Sequence, residues 1–89
     1  MEYGHERVLT VARLLSGNDQ KTLAQALRKH QEITLERTLG ERTVVVKTMP
    51  VSFPWDVPMI VQVKIQKYGS VRLQNFERAE DAVIFGNTE

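Results

Sequence analysis

The sequence predicts an α+β fold, in which two N-terminal helices pack on an antiparallel sheet of about four strands (two β-hairpins). Three observations predict it. Apolar residues recur at three- and four-residue spacing up to His30, they alternate with polar residues after it, and glycines lie where tight turns would join strands. We expect a single domain over residues 1–89, because so short a chain cannot build two stable cores.

Two helices are predicted before the change of period. The first covers about residues 5–15. Gly17 can end it, and Asn18 or Asp19 can cap the second helix, which covers about residues 19–30. The two helices turn these apolar residues inward: Val8, Leu9, Val11, Ala12, Leu14, Leu15, Leu23, Ala24, Ala26 and Leu27.

The first hairpin is predicted around a two-residue turn at Gly40–Glu41. That turn places Leu39 opposite Arg42 and continues the register until Ile33 faces Thr48. One sheet face then receives Ile33, Leu35, Val44 and Val46. The alternative extends the second helix to Leu39, with Gly40 as its stop. The β-branched residues Ile33, Thr34 and Thr38 favour the hairpin.

A loop and a second hairpin follow. Residues 49–58 contain all three prolines, which central strands exclude because proline lacks an N–H. Residues 59–67 alternate again, and we predict a three-residue loop at 68–70 that pairs Ile65 with Leu73. After it, residues 77–82 are expected to form a polar turn or short helix, and residues 83–85 an apolar terminal segment closed by Gly86.

Composition excludes several classes of protein. The absence of cysteine removes disulfides, thiolate nucleophiles and cysteine-based metal sites. The first residues, 1–6, lack the basic start and apolar run of a signal peptide, and no stretch approaches the roughly 20 apolar residues of a membrane span. We therefore expect a cytoplasmic protein that does not bind membranes.

Catalytic motifs are not visible, so we expect a protein that is not an enzyme. His5 and His30 are the two histidines, and neither belongs to a zinc-protease pattern. Ser16, Ser52 and Ser70 have no nucleophile motif around them, and no glycine-rich phosphate loop occurs. No cofactor and no metal is expected.

Charge is segregated along the chain, which points to binding rather than to chemistry. Residues 42–76 hold five cations against one acid, a net charge of +4, whereas residues 77–89 hold four acids against Arg78, a net charge of −3. Such a distribution orients partners and sets their sign without determining the fold.

The leading functional hypothesis is a small non-enzymatic protein-binding module, an adaptor or an inhibitor that regulates a partner protein. Prolines stiffen the loop that carries Phe53 and Trp55, and aromatic residues presented in this way are common binding anchors. We assign Tyr68 to the same partner surface. The alternative is that the two loop aromatics fold back to close a thin core. Because the core is thin, a homodimer is also left open.

The alternative hypothesis is a nucleic-acid-binding regulator. One sheet face would combine Gln62, Lys64, Gln66, Arg72 and Gln74, as single-stranded nucleic-acid platforms do. Two helices followed by a hairpin is also the order of a winged helix-turn-helix, in which Gln25 and its neighbours would enter the major groove. The candidate contacts are Lys21, Arg28, Lys29, Arg42, Lys64, Lys67 and Arg72. The simpler interpretations are a solvated sheet face and a plain helical hairpin.

Overall fold

The computed structural model describes residues 14–89 and confirms an α+β architecture with a four-stranded antiparallel sheet. The strands follow chain order across the sheet, β1–β2–β3–β4. The elements are α1 (Gly17–Lys29), β1 (Thr34–Leu39), β2 (Arg42–Pro50), β3 (Met59–Lys67), β4 (Ser70–Phe76) and α2 (Ala79–Thr88).

The prediction that both helices are N-terminal is wrong. The sheet is covered by α1 and by the C-terminal helix α2, which share one apolar core with it. The predicted helix at residues 5–15 lies outside the described residues, except for Leu14 and Leu15, which are not helical. Instead of two separate segments, residues 79–88 form a continuous helix. Its buried residues recur at helical spacing: Ala79, Ala82, Val83 and Gly86.

A capping box begins α1 at Ser16, so neither of the predicted caps, Asn18 or Asp19, is the N-cap. The Asp19 N–H donates to Ser16 Oγ at 3.0 Å, and the Ser16 N–H donates to Asp19 Oδ2 at 2.9 Å. At the other end His30 adopts φ of 55° as the C-cap, in the left-handed region where helices commonly stop. The helix is therefore bounded by local hydrogen bonds at both ends.

The first hairpin has the predicted register. Leu39 lies opposite Arg42 and Leu35 opposite Val46, and the Thr48 N–H donates to the Ile33 carbonyl at 3.0 Å. Gly40 takes φ of 62°, as the first central position of a type II′ turn requires. The alternative in which the second helix continues to Leu39 is therefore wrong.

The second hairpin has a different register from the one predicted. A two-residue turn at Tyr68–Gly69 pairs Lys67 with Ser70, so Ile65 lies opposite Arg72 instead of Leu73. Both turn residues have positive φ, 53° and 134°, which fits the tight hairpin turns. The prediction failed because β4 is exposed, so burial of its apolar residues does not fix its register.

The core lies between the two helices and one face of the sheet, here called the helix face. That face contributes Val44, Val46, Val61, Val63 and Ile65, all buried against residues of both helices. The opposite face of the sheet, here called the far face, carries Thr43, Val45, Lys47, Gln62, Lys64, Gln66, Val71, Leu73 and Asn75. Within residues 14–89, neither helix has the length and apolar character needed to cross a membrane.

Asp19 also ties α1 to the sheet. Its Oδ1 accepts a hydrogen bond from the Arg37 guanidinium of β1 at 2.8 Å. Burial by itself raises the pKa of Asp19, but the Ser16 N–H and the Arg37 charge together outweigh burial and hold that pKa below its ordinary value of 3.8. The ionised carboxylate is thus stabilised by folding.

We expect Asp19→Asn to lower the free energy of unfolding by about 1 kcal/mol at pH 7, because the substitution weakens the cap and removes the ion pair. A lowered folded-state pKa stabilises the fold above 3.8, and this stabilisation is lost as pH falls through the folded-state value. Urea unfolding at pH 7 and at pH 3 measures this. The difference between wild type and variant should shrink at the lower pH, and an equal difference at both would contradict the assignment.

Candidate functional site

The candidate site is the loop that joins β2 to β3, residues 51–58, here called the aromatic loop. It is two residues shorter than the predicted loop, because Met49 and Pro50 form the end of β2. The Val51 N–H donates to the Pro58 carbonyl at 3.0 Å and closes its base. Within it, the Trp55 N–H donates to the Ser52 carbonyl at 2.9 Å, and the Phe53–Pro54 peptide bond is cis. Two backbone hydrogen bonds thus define the path of the loop.

The two aromatic side chains of this loop have different environments. Phe53 is 94% exposed, whereas Trp55 is half-buried. The sequence left open whether both would bind a partner or both would close the core. The structure separates them, because only Phe53 is presented to solvent as a whole ring. Aromatic residues, phenylalanine among them, are enriched in protein–protein interfaces, so Phe53 is the candidate contact of this loop.

A hollow of about 290 Å³ lies beside the base of the aromatic loop. Apolar side chains of α1 and of residues 57–59 form part of its wall, and three charged or titratable groups complete it. The lining residues are Leu27, Arg28, His30, Val57, Pro58, Met59 and Glu77. Sequence analysis missed this hollow, because its walls come from segments that are distant in the chain.

Tyr68 does not belong to the aromatic loop. It is 74% exposed in the turn between β3 and β4, at the other end of the sheet from Phe53. The nine residues of β3 separate these two ends by about 30 Å. The predicted partner surface of Phe53, Trp55 and Tyr68 is therefore not one surface.

The predicted polar face of the second hairpin is also divided. Gln62, Lys64 and Gln66 lie on the far face, where the Gln62 Nε2 donates to Asn75 Oδ1 at 3.2 Å. Arg72 is displaced to the helix face by the observed register. Gln74 lies on the helix face for the same reason, and Val71 and Leu73 occupy the far face instead of Arg72 and Gln74.

Three of the cations meet the C-terminal end of α2. The Arg42 guanidinium donates to the Gly86 carbonyl, and Arg72 pairs with the Glu89 carboxylate. The Arg72 guanidinium carbon also lies 5.8 Å from the centroid of the Phe85 ring. Lys67 lies directly opposite Arg42. Both residues line a second hollow, at the C-terminal end of α2, together with Glu89.

These contacts explain part of the charge segregation. Two cations opposite each other on one sheet face repel, but here they lie beside the end of a helix, where carbonyl groups carry partial negative charge. In the described chain, α2 has no basic residue in its own last turn. The sheet therefore supplies the cations that this helix end lacks, and part of the charge segregation is satisfied within the fold.

The remaining candidate cations lie elsewhere. Lys64 is exposed on the far face of the sheet, while Lys21, Arg28 and Lys29 are exposed on α1. The seven residues predicted to contact nucleic acid thus occupy three separate surfaces. In residues 14–89, no group of three or more potential metal-binding side chains comes together. His5 lies outside the described residues.

In comparisons with known proteins, no family model, no curated protein and no solved structure matches this chain.

Proposed function

We propose that this protein is a small non-enzymatic protein-binding module, an adaptor or an inhibitor, that contacts its partner through the aromatic loop. The observation that carries the proposal is the 94% exposure of Phe53 on a loop closed by backbone hydrogen bonds. A large ring buries much apolar area on binding. A loop that is already ordered loses less entropy when it binds.

The hollow beside the loop supports the same proposal. The exposed Phe53 ring could insert into a partner, and the 290 Å³ hollow next to the loop could accept a side chain of that partner. Apolar side chains such as Val57 and Met59 would contact an inserted side chain, while Arg28 and Glu77 could contact polar groups around it. Interfaces commonly combine an apolar centre with a polar rim in this way.

The test uses a random-peptide phage library selected on the immobilised wild-type protein, with the enriched peptides then labelled and titrated. Phe53→Ala is expected to weaken peptide binding at least tenfold, the range of an interface hot spot. Circular dichroism should not change, because the ring is exposed in the free protein. Trp55→Ala is less informative, since this half-buried residue also contributes to folding.

Tyr68→Ala is the matched control, because it removes another exposed aromatic ring at the opposite end of the sheet. It should leave peptide affinity within about twofold of the wild type, since only hot-spot residues have large effects. Peptides that bind Phe53→Ala as well as they bind the wild type would contradict the proposal. A larger loss of peptide affinity in Tyr68→Ala than in Phe53→Ala would place the binding site at the Tyr68 end of the sheet.

A second candidate function is nucleic-acid binding through α1, and one observation favours it. Lys21, Gln25, Arg28 and Lys29 are all exposed on this helix. The acid of the helix, Asp19, is already paired with Arg37 of β1. The exposed side of α1 is therefore cationic, as a phosphate-binding helix would be.

Fluorescence anisotropy of a labelled duplex oligonucleotide tests this second candidate. We expect log affinity to fall against log salt with a slope of about −0.9 per phosphate contacted. The double variant Lys21→Glu/Arg28→Glu should abolish binding, whereas Lys64→Glu on the far face should have little effect. An equal loss for the Lys64 variant would show that binding is not specific to α1.

A further inference from the structure

The edge strand β4 is exposed along almost its whole length. Six of its seven residues are exposed and only Phe76 is half-buried. It contains no proline, and its far-face residues Val71 and Leu73 are 55% and 56% exposed. Within residues 14–89, no strand pairs with its outer side. A long edge of this kind is a template for pairing with another strand.

The register determines which backbone groups of β4 face outward. In the Tyr68–Gly69 turn, Lys67 and Ser70 are the residues that share the turn hydrogen bond. Because antiparallel bonding alternates along a strand, the N–H and C=O groups of Val71, Leu73 and Asn75 point away from β3.

The first hairpin obeys the same alternation. Its turn pairs Leu39 with Arg42, and the bonded pairs recur every second residue from there. Ile33 and Thr48 are one of these bonded pairs, and the observed hydrogen bond from the Thr48 N–H to the Ile33 carbonyl agrees with this. The outward groups of β1 are therefore those of Thr34, Glu36 and Thr38.

We propose that two copies of this chain associate by antiparallel pairing of their β4 edges, with the two-fold axis at Leu73. Leu73 then lies opposite Leu73 of the second copy, and Val71 lies opposite Asn75. Each copy offers three outward N–H groups and three outward C=O groups, so every one of them is paired. The two sheets become one continuous antiparallel sheet.

Side-chain chemistry favours self-pairing at β4. At its centre two leucines meet on the far face, while on the helix face Arg72 lies opposite the neutral Gln74. The Arg72 charge is already paired with Glu89 of its own chain. No like charges are therefore brought together across the axis by residues 70–76.

The other edge of the sheet disfavours the same arrangement. Symmetric pairing of β1 about its central outward residue would set Glu36 directly opposite Glu36 of the second copy. Two carboxylates at that position repel. Pairing of β1 with β4 would leave a free edge at each end and continue into a polymer. Among these edge pairings, only that of β4 with β4 closes a dimer and keeps like charges apart.

This dimer does not depend on the function of the aromatic loop. Pairing of one strand edge buries less area than a standard interface, so we expect a dissociation constant on the order of micromolar. Sedimentation equilibrium between about 5 and 500 µM should follow a monomer–dimer equilibrium. Leu73→Arg should shift the protein to monomer, because it places two cations at the axis.

A matched control and a cross-linking experiment locate the interface. Glu36→Arg changes the charge at the centre of the other edge and should leave the dimer unchanged. The chain has no cysteine, so a short bis-maleimide should link Leu73→Cys into dimers but not Glu36→Cys. A protein that stays monomeric at 500 µM overturns the proposal. Cross-linking only through position 36, or a ladder of polymers, also overturns it.

Discussion

Replacement of Gly86 by valine is expected to destabilise the fold by about 3 kcal/mol, the upper part of the range for an overpacked core. Gly86 is buried in α2, and a Cβ added there would lie 2.6 Å from Leu15 Cδ1 and 3.4 Å from Val44 Cγ1. Leu15 and Val44 are themselves fully buried, so the Leu15 side chain would have to shift within a packed core to make room for the valine. The glycine lets α2 approach the sheet.

Urea unfolding measured by circular dichroism tests this expectation, and Gly17→Val provides the matched control. A Cβ at Gly17, at the start of α1, would meet nothing within 4 Å. That variant should change stability by less than about 1 kcal/mol. Gly86→Ala should fall between the two, since its smaller clash is partly offset by higher helix propensity. Equal unfolding midpoints for the two valine variants would contradict the close approach.

Asn87→Ala is expected to lower the free energy of unfolding by about 2–3 kcal/mol, because it leaves partly buried backbone groups without partners. The Asn87 Oδ1 accepts from the Leu14 N–H at 3.1 Å and from the Leu15 N–H at 2.8 Å. Its Nδ2 donates to the Leu15 carbonyl at 3.0 Å. One side chain of α2 thus fixes the segment that leads into α1.

Asn87→Asp separates the two halves of this contact, since a carboxylate keeps the acceptor and loses the donor. Its loss of stability should be smaller than that of Asn87→Ala. Hydrogen exchange adds a local readout, in which the Leu14 and Leu15 amides should lose protection in the alanine variant. Asn75→Ala, on the exposed far face, should be nearly neutral. Unchanged protection of both leucine amides would contradict the role given to Asn87.

The two hairpins show how far sequence determines this sheet. In the first, the turn at Gly40 and the apolar alternation of β1 and β2 favour the same register, and the prediction is confirmed. In the second, burial and turn chemistry favour different registers. The positive φ values at Tyr68 and Gly69 define the turn, and β4 leaves Val71 and Leu73 exposed. An exposed edge strand carries a weak register signal.

The C-terminal helix was predictable in part. Its buried residues follow helical spacing, but the acids at its start and Gly86 inside it favoured a division into two short segments. Glycine is unfavourable within a helix, yet here packing against Leu15 determines its use. Local preference was overridden by a tertiary contact that the sequence does not display.

Sequence reasoning selected Phe53 as a candidate contact but did not describe a surface around it. Composition identified the loop that carries Phe53 and Trp55. Which of the two side chains is exposed depends on packing, which the sequence does not show. Tyr68 and the cations were grouped by their place in the chain. Charge segregation along a sequence does not say which sheet face each cation occupies, and a shift of register by one residue reverses the face. Arg72 shows this directly.

The central claim is that this chain acts through the aromatic loop rather than through its cations. The most direct measurement titrates a labelled, library-selected peptide and a labelled oligonucleotide against the wild type and Phe53→Ala, at about 50 and 200 mM salt. We expect peptide affinity to change less than about twofold with salt and to fall at least tenfold in the variant. The claim would be contradicted if Phe53→Ala left peptide affinity unchanged while the oligonucleotide bound more tightly than the peptide and its affinity fell steeply with salt.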